Sequence, residues 1–366
     1  MTGNENTGEN EMQRSKVYLF RTNEKTTDAE KIRGLEKLFY AAGFDKTFKN
    51  AGLAAIKTHF GEPGNKGWIP AQFIRAAAAL VEKQGAQAFV TDANTLYVGK
   101  RSNAYDHLKT AAAHGFTMDS LGVPVIIGDG LRGQNRATIP IEGKYFREVH
   151  LAPEIVHADA LLAMTHVTGH LGSGYAGAIK NISMGCASRG GKLAMHSDAK
   201  PQIIPDKCTA CGTCAEYCPT DAITIADKAE ADKTKCVGCG ECYAVCRYRA
   251  VQFSWGGTHL QEKMVEYAMG MLKTKKGKVG YVNFITYVTK NCNCMNKPEE
   301  PAVPDVGIVA SADLVAVDAA SYDLVMKCAG KDFFADTWPA LKSRTQLEYA
   351  EHLGLGTVEY ELAEIS

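Results

Sequence analysis

Lys207-Cys208-Thr-Ala-Cys211-Gly-Thr-Cys214-Ala-Glu-Tyr-Cys218-Pro219 is followed, 28 residues on, by Lys235-Cys236-Val-Gly-Cys239-Gly-Glu-Cys242-Tyr-Ala-Val-Cys246-Arg247. Both runs read C-x2-C-x2-C-x3-C. The same shift carries Ala222 onto Ala250, and Ile223 and Ile225 onto Val251 and Phe253. Two copies of one unit imply a pseudo-two-fold module in which neither half buries its apolar face alone. Thiolates are soft donors, and four of them can hold the iron corners of a cube. Three closely spaced cysteines wrap one face while the fourth, on a turn, points to the other cube. This crossed rule assigns Cys208, Cys211, Cys214 and Cys246 to one 4Fe-4S cluster. Cys236, Cys239, Cys242 and Cys218 then hold the second. Zinc also accepts four thiolates, but tandem runs of this spacing match zinc ribbons poorly. Arg247 stands where the first run has Pro219, which changes a turn and adds a positive charge without removing a ligand.

Outward from these runs, both flanks alternate between strand and helix periodicity. Strands are expected at 17–21, 53–60, 86–91, 123–127 and 158–165, with helices at 28–42, 71–84 and 104–114. After the cysteine runs, helices are expected at 260–273, 316–327 and 339–352, with strands at 279–288, 306–310 and 357–361. Such alternation predicts an α/β fold: a mostly parallel sheet core, covered on both faces, with an inserted bacterial-type di-cluster ferredoxin module. The expected organisation is a disordered tail over 1–14, the core's first part over 15–202, the module over 203–253 and the core's second part over 254–366. Two α/β lobes with the module between them are the alternative. Met264, Met269 and Met271 lie at helical spacing and read as core filling.

The chain has 366 residues, 45% hydrophobic and 22% charged, with 41 basic and 41 acidic side chains. That balance gives no electrostatic reason to expect nucleic acid or an anionic membrane as partner. The start is polar, without a basic segment leading into an apolar run, and apolar runs elsewhere are only strand-sized. A cytoplasmic protein is expected, in which twelve cysteines point to metal ligation rather than disulfides. The partners expected are a redox protein or a small-molecule substrate, and a homodimer stays open.

The segment Gly177-Ala-Ile-Lys-Asn-Ile-Ser-Met-Gly-Cys186-Ala-Ser-Arg-Gly-Gly-Lys192 resembles the iron-sulfur branch of the domain-of-unknown-function-362 (DUF362) proteins. Further marks are Lys57-Thr-His59-Phe-Gly-Glu62, His166-x3-His170, Lys180-Asn181, His196, Asn291-Cys292-Asn-Cys294, Pro304-Asp305, Ser311 and Asp318. The resemblance covers nearly everything after residue 15. It implies the fold and the cluster content, and it implies no reaction.

Outside the module, His59, His166, His170 and Lys180 are the candidate catalytic residues. Lys57, Asn181 and His196 are the candidate cofactor-binding residues. Cys186, Cys292 and Cys294 are candidate ligands of a further metal, with a histidine among His166, His170 and His196, although free cysteines are commonly buried for packing alone. The glycine-rich loop after His59 reads either as an anion cradle or as a βα loop that needs glycine for its turns. Lys57, Lys180 and Lys192 could give charge to an anionic substrate or a flavin phosphate. Two functions follow: low-potential electron transfer by the two clusters, or an oxidoreductase whose α/β body binds a small anion, a flavin or a third metal centre.

Overall fold

The computed structural model describes residues 14–97, 99–196, 200–236, 238–253, 258–294 and 298–366. Of the tail expected over 1–14, residues 1–13 lie outside the described residues. Eight strands form the central sheet: β1 Ser15–Arg21, β2 Leu53–Lys57, β3 Gln87–Asp92, β4 Val125–Ile127, β5 Ala160–His166, β6 Val279–Ile285, β7 Gly307–Ser311 and β8 Tyr360–Ile365. Their spatial order is β8-β1-β7-β6-β5-β2-β3-β4. Only β7 runs against the rest, antiparallel to both β6 and β1. Strands from before and after the cysteine runs are therefore neighbours in one sheet, with Ala163 of β5 opposite Tyr281 of β6.

Alternate side chains along each strand go to opposite faces, so a strand buried on both reads as a continuous apolar run. β5 does so: Leu161 and Ala163 join one core cluster, Leu162 and Met164 the other. Helices α1 (Asp28–Ala41) and α2 (Ala71–Lys83) cover the second face through Leu35, Leu38, Phe39, Phe73 and Ile74. A Thr27–Glu30 capping box starts α1, and Gly43, at φ 74°, ends it. In chain order come α3 (Arg189–His196), α4 (Glu241–Val245), α5 (Leu260–Lys275) and α6 (Leu314–Ala329). α5 and α6 cover the first face, where Met264 and Met271 are fully buried. Among the described residues no helix is long and apolar enough to cross a membrane.

The adjacent strands β2 and β5 lead to opposite sides. β2 continues through α2 to β3, and β5 through the cysteine region and α5 to β6. Such a divergence leaves a crevice at the carboxyl ends of the two strands. Lys57, Thr58 and His59 leave β2 there, and His166 ends β5.

Three expectations differ from the structure. β2 stops at Lys57 rather than at 60, because Lys57 turns into a network of buried charges. The helix expected over 339–352 begins only at Thr345 and runs to His352, and a short helix that was not expected, Phe333–Thr337, precedes it with Phe333 and Phe334 buried in the core. The strand expected over 279–288 ends at Ile285. His166 ends β5, and His170 lies in the hairpin Thr168–His170/Gly174–Ala176.

Candidate functional site

In the cysteine region the sequence repeat is also a backbone repeat. Ala210 (φ 55°) and Gly238 (φ 74°) occupy equivalent left-handed positions, as do Gly212 (79°) and Gly240 (77°), and Asp221 (48°) and Arg249 (55°). The Ala222 amide donates to Cys218 Sγ at 3.2 Å, and the Ala250 amide to Cys246 Sγ at 3.3 Å. Two small cavities result, enclosing about 340 and 360 Å³ when space open to solvent is included. Cys218, Cys236, Cys239 and Cys242 line the first. Cys208, Cys211, Cys214 and Cys246 line the second. The fourth cysteine of each run thus lies with the first three of the other. Burial raises the Cys239 thiol to about 11, whereas hydrogen bonds from Thr213 lower the exposed Cys211 thiol.

The two cavities differ in position. Cys211 and Tyr248, on the second, are exposed. The first faces the α/β body, because α4, which carries Cys242, lies on α3. A Cβ on Gly190 of α3 would stand 2.1 Å from Glu241 Oε1 and 3.4 Å from Cys239 O. Arg136 Nη1 pairs with that Glu241 oxygen at 2.9 Å. Arg189 donates to Ala244 O at 3.3 Å and to Thr95 O at 3.1 Å, tying α4 to the loop after β3.

In the crevice, Lys57 is buried. Its Nζ pairs with Asp92 Oδ1 at 3.0 Å and donates to Asn181 Oδ1 at 2.9 Å. Asp92 Oδ2 lies 3.2 Å from Arg101 Nη1, and Arg101 Nε donates to Glu62 Oε1 at 2.8 Å. Two cations and two carboxylates balance. Burial would push the Asp92 carboxyl up, but Lys57 and His107 hold it well below the usual range. Asn181 Nδ2 bridges the strand ends, donating to Met164 O at 3.2 Å and Thr165 Oγ1 at 2.9 Å. Gly185 makes this possible, since a Cβ there would stand 2.1 Å from Asn181 O and 2.8 Å from Lys57 Nζ. Lys57 and Asn181, expected to touch a cofactor, bond to each other, and Asn181 also bonds to the end of β5.

Lys180 differs. It is half-buried, and its Nζ donates to no acceptor among the described residues. Burial, then Lys57 and Arg101, bring its ammonium down to about 8. Its charge in turn acts on His59, His170 and His196, which burial keeps neutral, His196 with a value near 4. Lys180 and these three histidines, predicted separately from sequence, share one location. His166 stands apart with both ring nitrogens bonded: Nε2 to Thr286 O at 2.6 Å and Nδ1 to Asn293 Nδ2 at 2.6 Å. That leaves it no lone pair or proton for a substrate.

The loop after His59 turns its amides inward. Gly61 N donates to His59 Nδ1 at 2.9 Å, Asn65 N to Glu62 O at 3.1 Å and Gly67 N to Asn65 Oδ1 at 2.8 Å. These bonds fit the turn reading of its glycines. Cys186 is buried in the apolar core with its Sγ 3.6 Å from Asn181 O, and burial raises its thiol to about 11. Cys292 and Cys294 form a disulfide, against the expectation of reduced cysteines, and a ring nitrogen of His170 lies within 4.8 Å of both sulfurs.

A family model described as Domain of unknown function (DUF362) matches residues 54–323. The chain belongs to the DUF362 family. That match spans β2 to α6 and so takes in both the crevice and the cysteine region. A comparison with curated proteins finds no match. Among solved structures, the lactate racemase apoprotein from Thermoanaerobacterium thermosaccharolyticum is 10% identical, with a TM-score of 0.39, covering 74% of this chain and 51% of that one. A protein from Thermotoga maritima is 10% identical, with a TM-score of 0.43, covering 84% and 60%. The DUF362 chain thus spans about half the length of the first and three fifths of the second.

Sequence reading passed over Asp92, Arg101 and His107. Asp92 closes a strand and Arg101 sits in a loop, and neither position carries a spacing that distinguishes it from a surface charge. Their signal is the crevice itself, which appears only once the strand order is known.

Proposed function

We propose that this protein is an iron–sulfur redox protein whose eight module cysteines hold two 4Fe-4S clusters for low-potential electron transfer. One observation carries the reading: the eight cysteines sort into two crossed sets of four around two separate cavities. Backbone amides donating to Cys208, Cys218, Cys236 and Cys246 Sγ at 3.2–3.4 Å suit sulfurs that bear negative charge. When bound, the clusters supply one-electron storage. The chain's part is to leave the Cys211 side open to a partner protein and to press the Cys239–Cys242 side against the body.

A second reading, an oxidoreductase fed through the module, is favoured by Lys180. A half-buried ammonium with no acceptor among the described residues, near three neutral histidines at the carboxyl edge of a parallel sheet, suits a small carboxylate or phosphate. His59 and His196, rather than His166, are then the candidate proton-handling groups. Iron, sulfide, zinc and flavin analysis of anaerobically purified protein, with EPR after dithionite, tests both. About eight iron and eight sulfide per chain are expected. Zinc without sulfide would refute the cluster assignment, and bound flavin would make the crevice a flavin site instead of an anion site.

A further inference from the structure

We propose that His170, Cys292 and Cys294 form a mononuclear site for a borderline-soft divalent cation such as Zn²⁺, with an open fourth position. A ring nitrogen of His170 and the two sulfurs lie within 4.8 Å of one another, His170 and Cys292 buried and Cys294 partly open. Two thiolates and an imidazole are a donor set zinc accepts, and three protein ligands leave one position for water or substrate.

The surrounding structure presents the ligands. Gly169 N donates to Thr289 O at 2.8 Å, and a Cβ on Gly169 would stand 2.2 Å from Lys290 O, so the hairpin holding His170 lies directly on the chain that leads to Cys292. Ser173 Oγ donates to Tyr175 O at 2.8 Å and lies 3.0 Å from His170 Nδ1. With its own proton so committed, that oxygen offers a lone pair to an Nδ1–H, and Nε2 is then free to bind metal. The Gly172 and Ser173 amides approach the same Nδ1 from 3.1 Å and favour the other tautomer; a cation on Nε2 decides for Ser173 Oγ.

The two sulfurs are joined in this structure. The binding form arises when a dithiol reductant opens the pair, giving two thiols while its own two thiols become a disulfide. The cation then displaces one proton from each thiol. Bound charge is +2 against two thiolates, which makes burial of the sulfurs tolerable. The site does not depend on the cluster assignment, although Lys180 and His196, neighbours of His170, place it in the same crevice.

Full-length, cluster-loaded protein is reduced with dithiothreitol, desalted anaerobically and titrated with Zn²⁺, and separately with Co²⁺. One extra zinc per chain and a thiolate-to-cobalt charge-transfer band are expected. Cys292→Ser/Cys294→Ser should lose both while keeping its iron and its visible absorption, which shows that the variant folds. Ser173→Ala should bind zinc about tenfold more weakly. Absence of stoichiometric zinc in the reduced wild type, or equal uptake by the double variant, would overturn the proposal. Either result leaves iron content unchanged, so it is distinguishable from failure of the cluster reading.

Discussion

Lys180→Met should make the protein more stable at neutral pH while removing its ability to hold an anion. The folded protein lowers this ammonium from 10.5 to about 8, chiefly by burial and then through Lys57 and Arg101. At roughly 1.4 kcal/mol per pH unit, that drop sets a ceiling of about 3 kcal/mol. Lys180 is only half-buried, and solvent screening brings the expected gain nearer ~1–2 kcal/mol. Between the folded value near 8 and the unfolded value of 10.5, the unfolded chain holds a proton that the folded chain has released. Folding stability contributed by Lys180 therefore rises with pH across that window, and the full penalty applies below it. Anaerobic urea unfolding followed by far-UV circular dichroism should show the variant ahead at pH 7 and the gap mostly closed at pH 10. If Lys180 holds an anion as proposed, inorganic phosphate should raise the wild-type midpoint at pH 7 by more than it raises the variant's. A variant less stable than wild type at pH 7, or a difference indifferent to pH, would refute the reading of Lys180 as an unpartnered cation.

The network beneath Lys180 should behave in the opposite way. Asp92→Asn leaves Lys57 and Arg101 facing a single carboxylate and should cost about 3–5 kcal/mol, whereas Asp92→Asn/Lys57→Met, which removes a cation as well, should recover part of that loss in the same unfolding assay. The depressed Asp92 carboxyl adds stability that is present above the unfolded value near 3.8 and fades as pH falls further, so acid unfolding of Asp92→Asn should be less steep in that range. Gly190→Val would drive a side chain into Glu241 and toward Cys239 O, displacing α4, and metal analysis should find iron lost first from the body-facing set Cys218, Cys236, Cys239 and Cys242.

How much of this was legible in the sequence depends on the range of the interactions. The grouping of the cysteines is a local matter, since four cysteines and a turn in each run specify the cavities they line almost without the rest of the chain. The crossed exchange of Cys218 and Cys246 needed only the 28-residue repeat. The strands at 158–165 and 279–288 were readable because both faces are buried, which leaves a continuous apolar run. The surroundings of Lys57 were not legible, for the converse reason. Its partners Asp92 and Asn181 are 35 and 124 residues away, and no local pattern distinguishes a lysine that ends inside a carboxylate network from one that meets a ligand. Lys180 and Lys57 are both lysines at strand or helix ends near the Gly177–Lys192 segment. Only the positions of Asp92 and Arg101 reveal that one charge is matched and the other is open. Cys186 and the pair Cys292 and Cys294 were grouped as candidate ligands, yet Cys186 lies within the apolar core and the pair beside His170.

The arrangement ties the cysteine region to the crevice through one stretch of chain. The segment from Gly177 to His196 leaves the crevice carrying Lys180 and Asn181, turns at Gly185, and becomes α3, whose Gly190 and Leu193 touch α4. α4 carries Cys242 toward the body-facing cavity. One continuous stretch thus connects the open ammonium to the wall behind four cysteines, with His196 returning to the Lys180 side. A module attached at either terminus would meet the sheet at β1 or β8, on the edge farthest from the β2–β5 crevice. The cysteine region instead follows β5 in the chain, and α3 joins it to the segment that carries Lys180 at the carboxyl end of the central strands.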